Sequence, residues 1–497
     1  MGINGADTAW LLISAALVML MTPGLAFFYG GMVRAKSVLN MMMMSIGSMA
    51  TIGVVWVLWG YSETFGDSRA GLIGNPFEFF GLRSLLAPDS MVGTVPSLAF
   101  VAFQAMFAII AVALISGAIA DRTKFSTWLV FTVIWPTFVY FPVAHWVFAF
   151  DVLDAAGTIT RHGGWIANQL KALDFAGGTA IHINAGAAAL ALVLVIGNRH
   201  GFGKEPMRPH NLTLVMLGAA LLWFGWFGFN AGSALTAGAT ASLAFVNTLV
   251  AASAAILGWL AIERLRDGHA TSLGGASGLV AGLVGITPAA NSVTPVGAIV
   301  LGATTGACCA AAVGLKNRFG YDDSLDVVGV HLIGGLAGTL LIGFLASDKA
   351  PAGVDGLFYG GGVDQLWRQA IGAFTVLVVS FVATYIIGMV LHKTLGFRID
   401  EDHELEGIDL TQHAETAYEL LGARGVRARS RIPSPTMTTT ADDHQDTSTA
   451  QPTEGAPSWR SSSPVASRPR STTGAPEPPD PVLRRCTWVR SRTSGAA

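Results

Sequence analysis

The sequence predicts an all-α polytopic membrane protein: about eleven transmembrane helices, arranged as two inverted five-helix repeats plus a final helix. Three observations carry that expectation. The chain is 52% hydrophobic and only 12% charged, with a mean hydropathy of +0.53, too apolar to dissolve as one globule. Apolar runs of about twenty residues, the length that crosses a hydrocarbon core as a helix, recur along the first part of the chain. Two aspartate–histidine pairs, Asp174 to His182 and Asp323 to His331, share one spacing and stand in opposite halves.

The runs fall at 7–32, 39–61, 98–120, 125–148, 177–197, 212–232, 241–262, 272–289, 295–315, 326–346 and 368–392. No basic residue precedes the first run and it ends in a Gly-rich turn, so it reads as a retained span and not a signal peptide. Basic residues occupy alternate short loops: Arg34 and Lys36, Arg122 and Lys124, Arg199 with Lys204 and Arg208, Arg264 and Arg266, Lys316 and Arg318. The positive-inside rule puts those loops in the cytoplasm, the N-terminus outside and the C-terminus inside.

Five spans per half is an odd number, so repeats at about 1–210 and 211–346 must be inverted, the plan of many transporters. Asp174 then opens the fifth span from the outer face and Asp323 the tenth from the inner face. Eight residues of helix rise about 12 Å, which carries His182 and His331 toward the midplane of a core about 30 Å thick, each from its own side. Ionisable residues in membrane spans are costly, and a matched pair points to a conduction path. The organisation expected is a transmembrane domain over 1–395, a C-terminal segment over 396–424, and a disordered tail over 425–497, where Ser, Thr, Pro and Arg dominate.

Composition also excludes. A net charge of −2, with basic residues scattered among loops, gives no field for nucleic acid. Cys308 and Cys309 are adjacent in an apolar run and Cys486 lies in the tail, so there is neither a disulfide framework nor a spaced zinc motif. No close-spaced His/Asp/Glu ligand set and no nucleophile motif appear, which argues against a metal site, a cofactor and an enzyme.

Four segments near the histidines have both a structural and a functional reading. The aromatic and glycine-rich run from Trp223 to Ser233 suits close helix packing or a pore wall. Phe103-Gln104-Ala105-Met106-Phe107 faces lipid, a neighbouring helix or a pore. Asp174 before Gly177-Gly178 suits a helix N-cap, a role compatible with function. Gly285-Ile286-Thr287-Pro288 is a proline break that ends a span.

The strings Asp174-Phe175-Ala176-Gly177-Gly178-Thr179 with His182-Ile183-Asn184, Trp226-Phe227-Gly228-Phe229-Asn230-Ala231-Gly232-Ser233, Gly282-Leu283-Val284-Gly285-Ile286-Thr287-Pro288 and Asp326-Val327-Val328-Gly329-Val330-His331 resemble the signatures of the ammonium transporter (Amt/Mep/Rh) family. The microbial and plant branch fits best. The resemblance implies a homotrimer with one pore per subunit and an outer recruitment site built from Phe107, Ser233 and a third aromatic residue. Phe148, after Ala144-His145-Trp146-Val147, or Trp165, beyond an insertion, fills that third place. It implies gate phenylalanines Phe107 and Phe229, pore histidines His182 and His331, and a structural acid, Asp174, near the outer site. Trp226 and Thr287 match near-pore positions. Asp323 is expected to fix a helix terminus. The segment from Gly396 through Tyr418 resembles the family's cytoplasmic regulatory region, implying cooperation with a PII-type signal protein.

These residue types suit ammonium. Ions are rejected by a dry pore at an idealised cost on the order of 20 kcal/mol, whereas neutral ammonia is not. An aromatic cage adds roughly 0.5–2 kcal/mol per cation–π contact, and selectivity over potassium rests on deprotonation. Two neutral imidazoles can pass a hydrogen bond or a proton between them. The alternative expectation is an ammonium sensor that signals through its C-terminal segment with little flux.

Overall fold

The computed structural model describes residues 2–418. The expected tail at 425–497, and the last residues of the 396–424 segment, lie outside the described residues.

Helix α1 spans Gly5–Met32 and opens on Asn4, whose side chain accepts from the N–H groups of Ala6 and Asp7 at 2.9 and 3.2 Å, an N-cap that satisfies two otherwise orphan donors. After it come α2 (Val38–Phe65), α3 (Ser97–Ile119), α4 (Phe125–Phe148), α5 (Gly178–Ile196), α6 (Leu212–Gly232) and α7 (Ala239–Asp267). The remainder are α8 (Ser272–Ile286), α9 (Pro295–Phe319), α10 (Val328–Leu345) and α11 (Asp364–Thr394). Ten of these are long and apolar enough to cross a membrane; the protein is a multi-pass membrane protein.

The exception is α8, expected over 272–289. Its 15 residues rise about 22 Å, short of a core about 30 Å thick. Pro288, with no N–H to give, stands after the last turn and ends it. Thr287 and Pro288 thereby become a turn inside the bundle instead of part of a span.

Small residues set the helix spacing. Gly302 and Gly306 of α9 sit against Ala251 and Ala255 of α7, so close that a methyl group at either glycine would run into the carbonyl oxygen opposite. Two residues four apart on each helix form one face, and small side chains there let the backbones touch, which is how helices associate where lipid is as apolar as leucine. The same device joins α6 to α1, where a methyl on Gly225 or Gly228 would come 2.6 Å from an atom of Leu17.

Helices α5 and α10 are built alike. Each opens on a widened π-type turn, Gly178–Ile183 and Val328–Leu332, a departure from α-geometry common at functional sites. Each opening is held by an aspartate. Asp174 accepts from the N–H groups of Gly177, Gly178 and Thr179 at 2.8, 2.6 and 2.8 Å; Asp323 accepts from Val327 and Val328 at 3.0 and 2.7 Å. The α5 opening is seated on the end of α8, where the N–H of Phe175 donates to the carbonyl of Pro288 at 3.1 Å.

The two ends of the bundle differ. At one end are three two-stranded antiparallel hairpins, the last pairing Val152–Leu153 with Ile159–Arg161. At the other end a buried ion-pair cluster ties loops together. Arg199 grips Asp322 with both Nε and Nη2 at 2.8 Å and reaches Asp121 at 3.0 Å. Arg122, fully buried, donates to the carbonyl of Asp322 at 2.7 Å and to Ser324 Oγ at 2.6 Å. Burial alone pushes the Asp322 carboxyl up, but the hydrogen bonds from Arg199 and the charges of Arg122 and Arg199 outweigh it and hold it below its ordinary value.

The C-terminal segment adds two short helices, α12 (Glu401–Glu406) and α13 (Ile408–His413), packed on this end. Asp409 caps α2 from far along the chain: its carboxylate accepts from the N–H groups of Leu39 and Asn40 at 3.0 and 2.8 Å. Ser37, the residue in the capping position, makes no such bond. Glu404, buried, binds Arg398 at 2.8 Å, Arg34 at 3.5 Å and the His200 N–H at 2.8 Å.

Candidate functional site

At the hairpin end a cavity of about 220 Å³ opens between helices. Phe107 of α3, Phe148 of α4 and Ser233, just past α6, line it, together with Tyr61, Gln104 and Arg161. Phe107 and Phe148 meet edge to face with centroids 6.5 Å apart. The Ser233 hydroxyl donates to the carbonyl of Phe229 at 2.8 Å, leaving its oxygen lone pairs to accept.

Phe107 closes the floor of that cavity by stacking on Phe229, centroids 4.3 Å apart and planes 24° from parallel. Both rings are fully buried. Phe229 stands next to His182, ring centroids 6.3 Å apart, and His182 stacks over Trp226 at 5.5 Å. His182 then meets His331: their Nδ1 atoms are 3.2 Å apart and their rings 5.3 Å apart at 22°. Two narrow voids, each about 10 Å³, flank the pair. One is lined by Leu25, Phe28, Ile110, Trp226 and both histidines, the other by Tyr29, Ser277 and His331. Each holds about one water-sized site.

The spacing read from sequence therefore brings its two histidines into contact. Each histidine lies inside the widened turn that opens its helix, eight residues after the aspartate that holds the opening, and there α5 and α10 meet imidazole to imidazole. An Nδ1–H on one ring donates to the bare Nδ1 of the other, which requires one neutral imidazole at least. His182 Nε2 is buried and has no hydrogen-bond partner among the described residues. Buried polar atoms are normally satisfied, and His182 also lines one of the two voids.

Trp226 is fixed from behind. Its indole N–H donates to Thr287 Oγ1 at 2.9 Å, and Thr287 donates in turn to the carbonyl of Leu283 at 2.7 Å. The turn that shortens α8 thus positions the ring on which His182 lies.

Of the two aromatics expected to complete the outer site, Phe148 lines the cavity. Trp165 does not; it packs on Trp146 with centroids 6.0 Å apart. Asp174 also stays out of the cavity wall, its carboxylate being spent on the backbone of α5. Sequence reading missed Tyr61, Asp151, Arg161 and His162 as cavity residues. Tyr61 ends an ordinary apolar run, and the others sit in the insertion after Phe148, where no motif marks them.

The sequence profile of the Ammonium Transporter Family matches residues 9–418. The chain belongs to that family. It is 58% identical over 443 residues to an ammonium transporter of Mycobacterium tuberculosis, covering 85% of this chain and 92% of that protein. An ammonium transporter of Bacillus subtilis is 45% identical over 83% of this chain and 98% of its own length. Among solved structures, Saccharomyces cerevisiae Mep2 superposes with a TM-score of 0.73 at 35% identity, covering 80% of this chain and 88% of that one. A structure named Sensor Amt Protein superposes equally well, TM-score 0.73, at 28% identity, covering 82% and 97%. Family membership and the multi-helical fold agree with the resemblance read from the four signature strings.

Proposed function

We propose that this protein carries ammonium nitrogen across the cell membrane by collecting ammonium in the cavity, transferring one of its protons to the His182–His331 pair, and passing ammonia along the path while the pair relays that proton onward, so that charge crosses with the nitrogen. One observation carries the reading. Phe229 belongs to two stacks at once, with Phe107 under the cavity and with His182 at the head of the histidine pair, so cavity, gate and histidines lie in one line.

Phe107 and Phe148 offer ring faces and Ser233 an acceptor oxygen, a set that suits a small cation with hydrogens to donate. Below the gate the path narrows to voids of about 10 Å³ walled by aromatic and aliphatic side chains, where a charge pays a large desolvation cost and ammonia a small one. Ammonium can lose a proton there and potassium cannot, which is the basis proposed for selectivity. His182 and His331 share their Nδ1 hydrogen bond and leave Nε2 edges for the guest. Phe107 and Phe229 act as the gate; Trp226 and Thr287 hold His182; Asp174 and Asp323 fix the helix openings.

We assign the hairpin end to the outside and the ion-paired end to the cytoplasm, on the positive-inside reading of the short basic loops. Homotrimeric assembly and docking of a PII-type signal protein at residues 396–424 accord with the family resemblance. The contacts of Asp409 and Glu404 with the α1–α2 loop give that segment a direct hold on the bundle. An ammonium sensor with little flux is the competing reading; a complete line from cavity to histidines favours transport. Reconstitution in liposomes separates them: flux through wild-type protein on an ammonium step supports transport, and its absence in both electrical and pH-dye recordings leaves the sensor.

A further inference from the structure

The cavity that this reading assigns to ammonium has a cation built into its wall. Arg161, at the end of the hairpin Val152–Leu153/Ile159–Arg161, lines it together with Asp151 and His162. A guanidinium beside a site for a monovalent cation works against the site, since like charges a few ångströms apart repel. Its surroundings show how it is restrained. Glu78, from the α2–α3 connection, holds Arg161 Nε at 3.3 Å, and the guanidinium lies over the ring of Phe79 at 5.0 Å. Glu78 is itself anchored, because its other oxygen accepts the N–H of Asp67 at 2.5 Å.

A second tie runs parallel to the first. Asp67 accepts the His162 N–H at 2.9 Å, and the Ser68 N–H donates to the carbonyl of His162 at 3.1 Å. The nearby carboxylate of Asp151 is occupied with the N–H of Gly163 at 2.7 Å. The end of the hairpin is therefore clasped to the 67–79 loop, with Arg161 drawn onto Glu78 and Phe79. It keeps enough exposure, about a third of its side chain, to swing once its partner is lost.

We propose that Arg161 is a tethered competitor of the transported cation, and that Glu78 sets the affinity of the outer cavity for ammonium by holding it in check. The proposal rests on the recruitment reading of the cavity. It predicts effects of opposite sign from the two members of one ion pair. Glu78→Gln releases an uncompensated guanidinium toward the cavity and raises the ammonium concentration for half-maximal flux, by roughly threefold. Arg161→Gln removes the competitor, leaves the Glu78 carboxylate in place, and lowers that concentration by a similar factor. The double variant returns toward wild type. Maximal flux stays unchanged throughout, because the gate and histidines are untouched. Both shifts shrink in high salt, since the pair lies at a solvent-reached rim.

The test is a concentration series of ammonium steps on proteoliposomes holding the full chain, wild type and these three variants, at low and high ionic strength. Phe148→Ala runs beside them as the control for the cavity itself. Opposite shifts that cancel in the double variant uphold the proposal. Shifts in the same direction for both single variants mean that the pair only braces the hairpin, and overturn it. No shift in either, while Phe148→Ala changes the half-saturating concentration, also overturns it and leaves the recruitment reading standing. If Phe148→Ala changes nothing as well, the recruitment reading fails and the proposal falls with it.

Discussion

His182 and His331, brought from helices that open at opposite ends of the bundle, place their Nδ1 atoms 3.2 Å apart in a buried contact. Each reaches that point from an aspartate eight residues earlier that caps its helix. The contact arises from two copies of one local design. It is also a constraint on chemistry: two facing Nδ1 atoms hold a single hydrogen between them, so one ring's protonation state is tied to the other's.

The cation cage is expected to respond to the quality of its rings. Phe148→Trp supplies a better cation–π face, and the half-saturating ammonium concentration should fall by roughly threefold, within the range of about 0.5–2 kcal/mol for such contacts. Phe148→Ala should raise it. Trp165→Ala, removing a ring that packs on Trp146 outside the cavity, should leave it unmoved. Flux titrations over ammonium concentration measure all three.

Thr287→Val keeps the shape of the turn after α8 and strips the partner from the buried indole N–H of Trp226. An unsatisfied buried donor costs about 1–3 kcal/mol, so thermal unfolding in detergent should shift to lower temperature. Flux should fall too, as the ring under His182 loses its anchor. Thr287→Ser, which retains the hydroxyl, should restore most of both.

The Arg199–Asp322 pair gives a pH prediction. The folded carboxyl lies below its ordinary value, so its contribution is fully present above the unfolded carboxylate value of about 4 and is lost as pH falls through the lower folded value. Asp322→Asn leaves Arg122 without its buried counter-charge and Arg199 with Asp121 alone, and should cost about 3–5 kcal/mol at neutral pH. In strong acid the gap between variant and wild type should close. Denaturation monitored by tryptophan fluorescence across pH reports it.

Gly306→Leu places a side chain where the carbonyl of Ala255 already sits. Overpacking of this kind costs about 1–3 kcal/mol or more, and here the obstacle is backbone that cannot rotate away. The variant should unfold at lower temperature or fail to accumulate in the membrane, whereas Val300→Leu, on an exposed face of the same helix, should do neither. Expression and melting in detergent distinguish the two.

The features legible in the sequence are local or periodic. Apolar run lengths mark the spans, because they depend only on helix rise, and the shared eight-residue spacing marks the histidines, although its first half is a capped turn and not helix. Thr287-Pro288 is legible as a break, but how early α8 stops depends on where the turn packs. Phe148 and Trp165 cannot be told apart in sequence, since the insertion between them hides which ring turns inward. The Glu78–Arg161 clasp and the Asp409 cap on α2 join residues far apart in the chain, and no spacing rule reaches across such distances.

The central claim is that nitrogen enters the cavity as charged ammonium and crosses the dry path by way of the histidine pair. A current recorded from proteoliposomes on a solid support, on an ammonium step and on a potassium step, with wild type and His182→Ala side by side, tests it most directly. The account predicts a transient current for ammonium, none for potassium, and loss or alteration of the ammonium response in the variant. A potassium current equal to that for ammonium, or an ammonium current unchanged by His182→Ala, would contradict it.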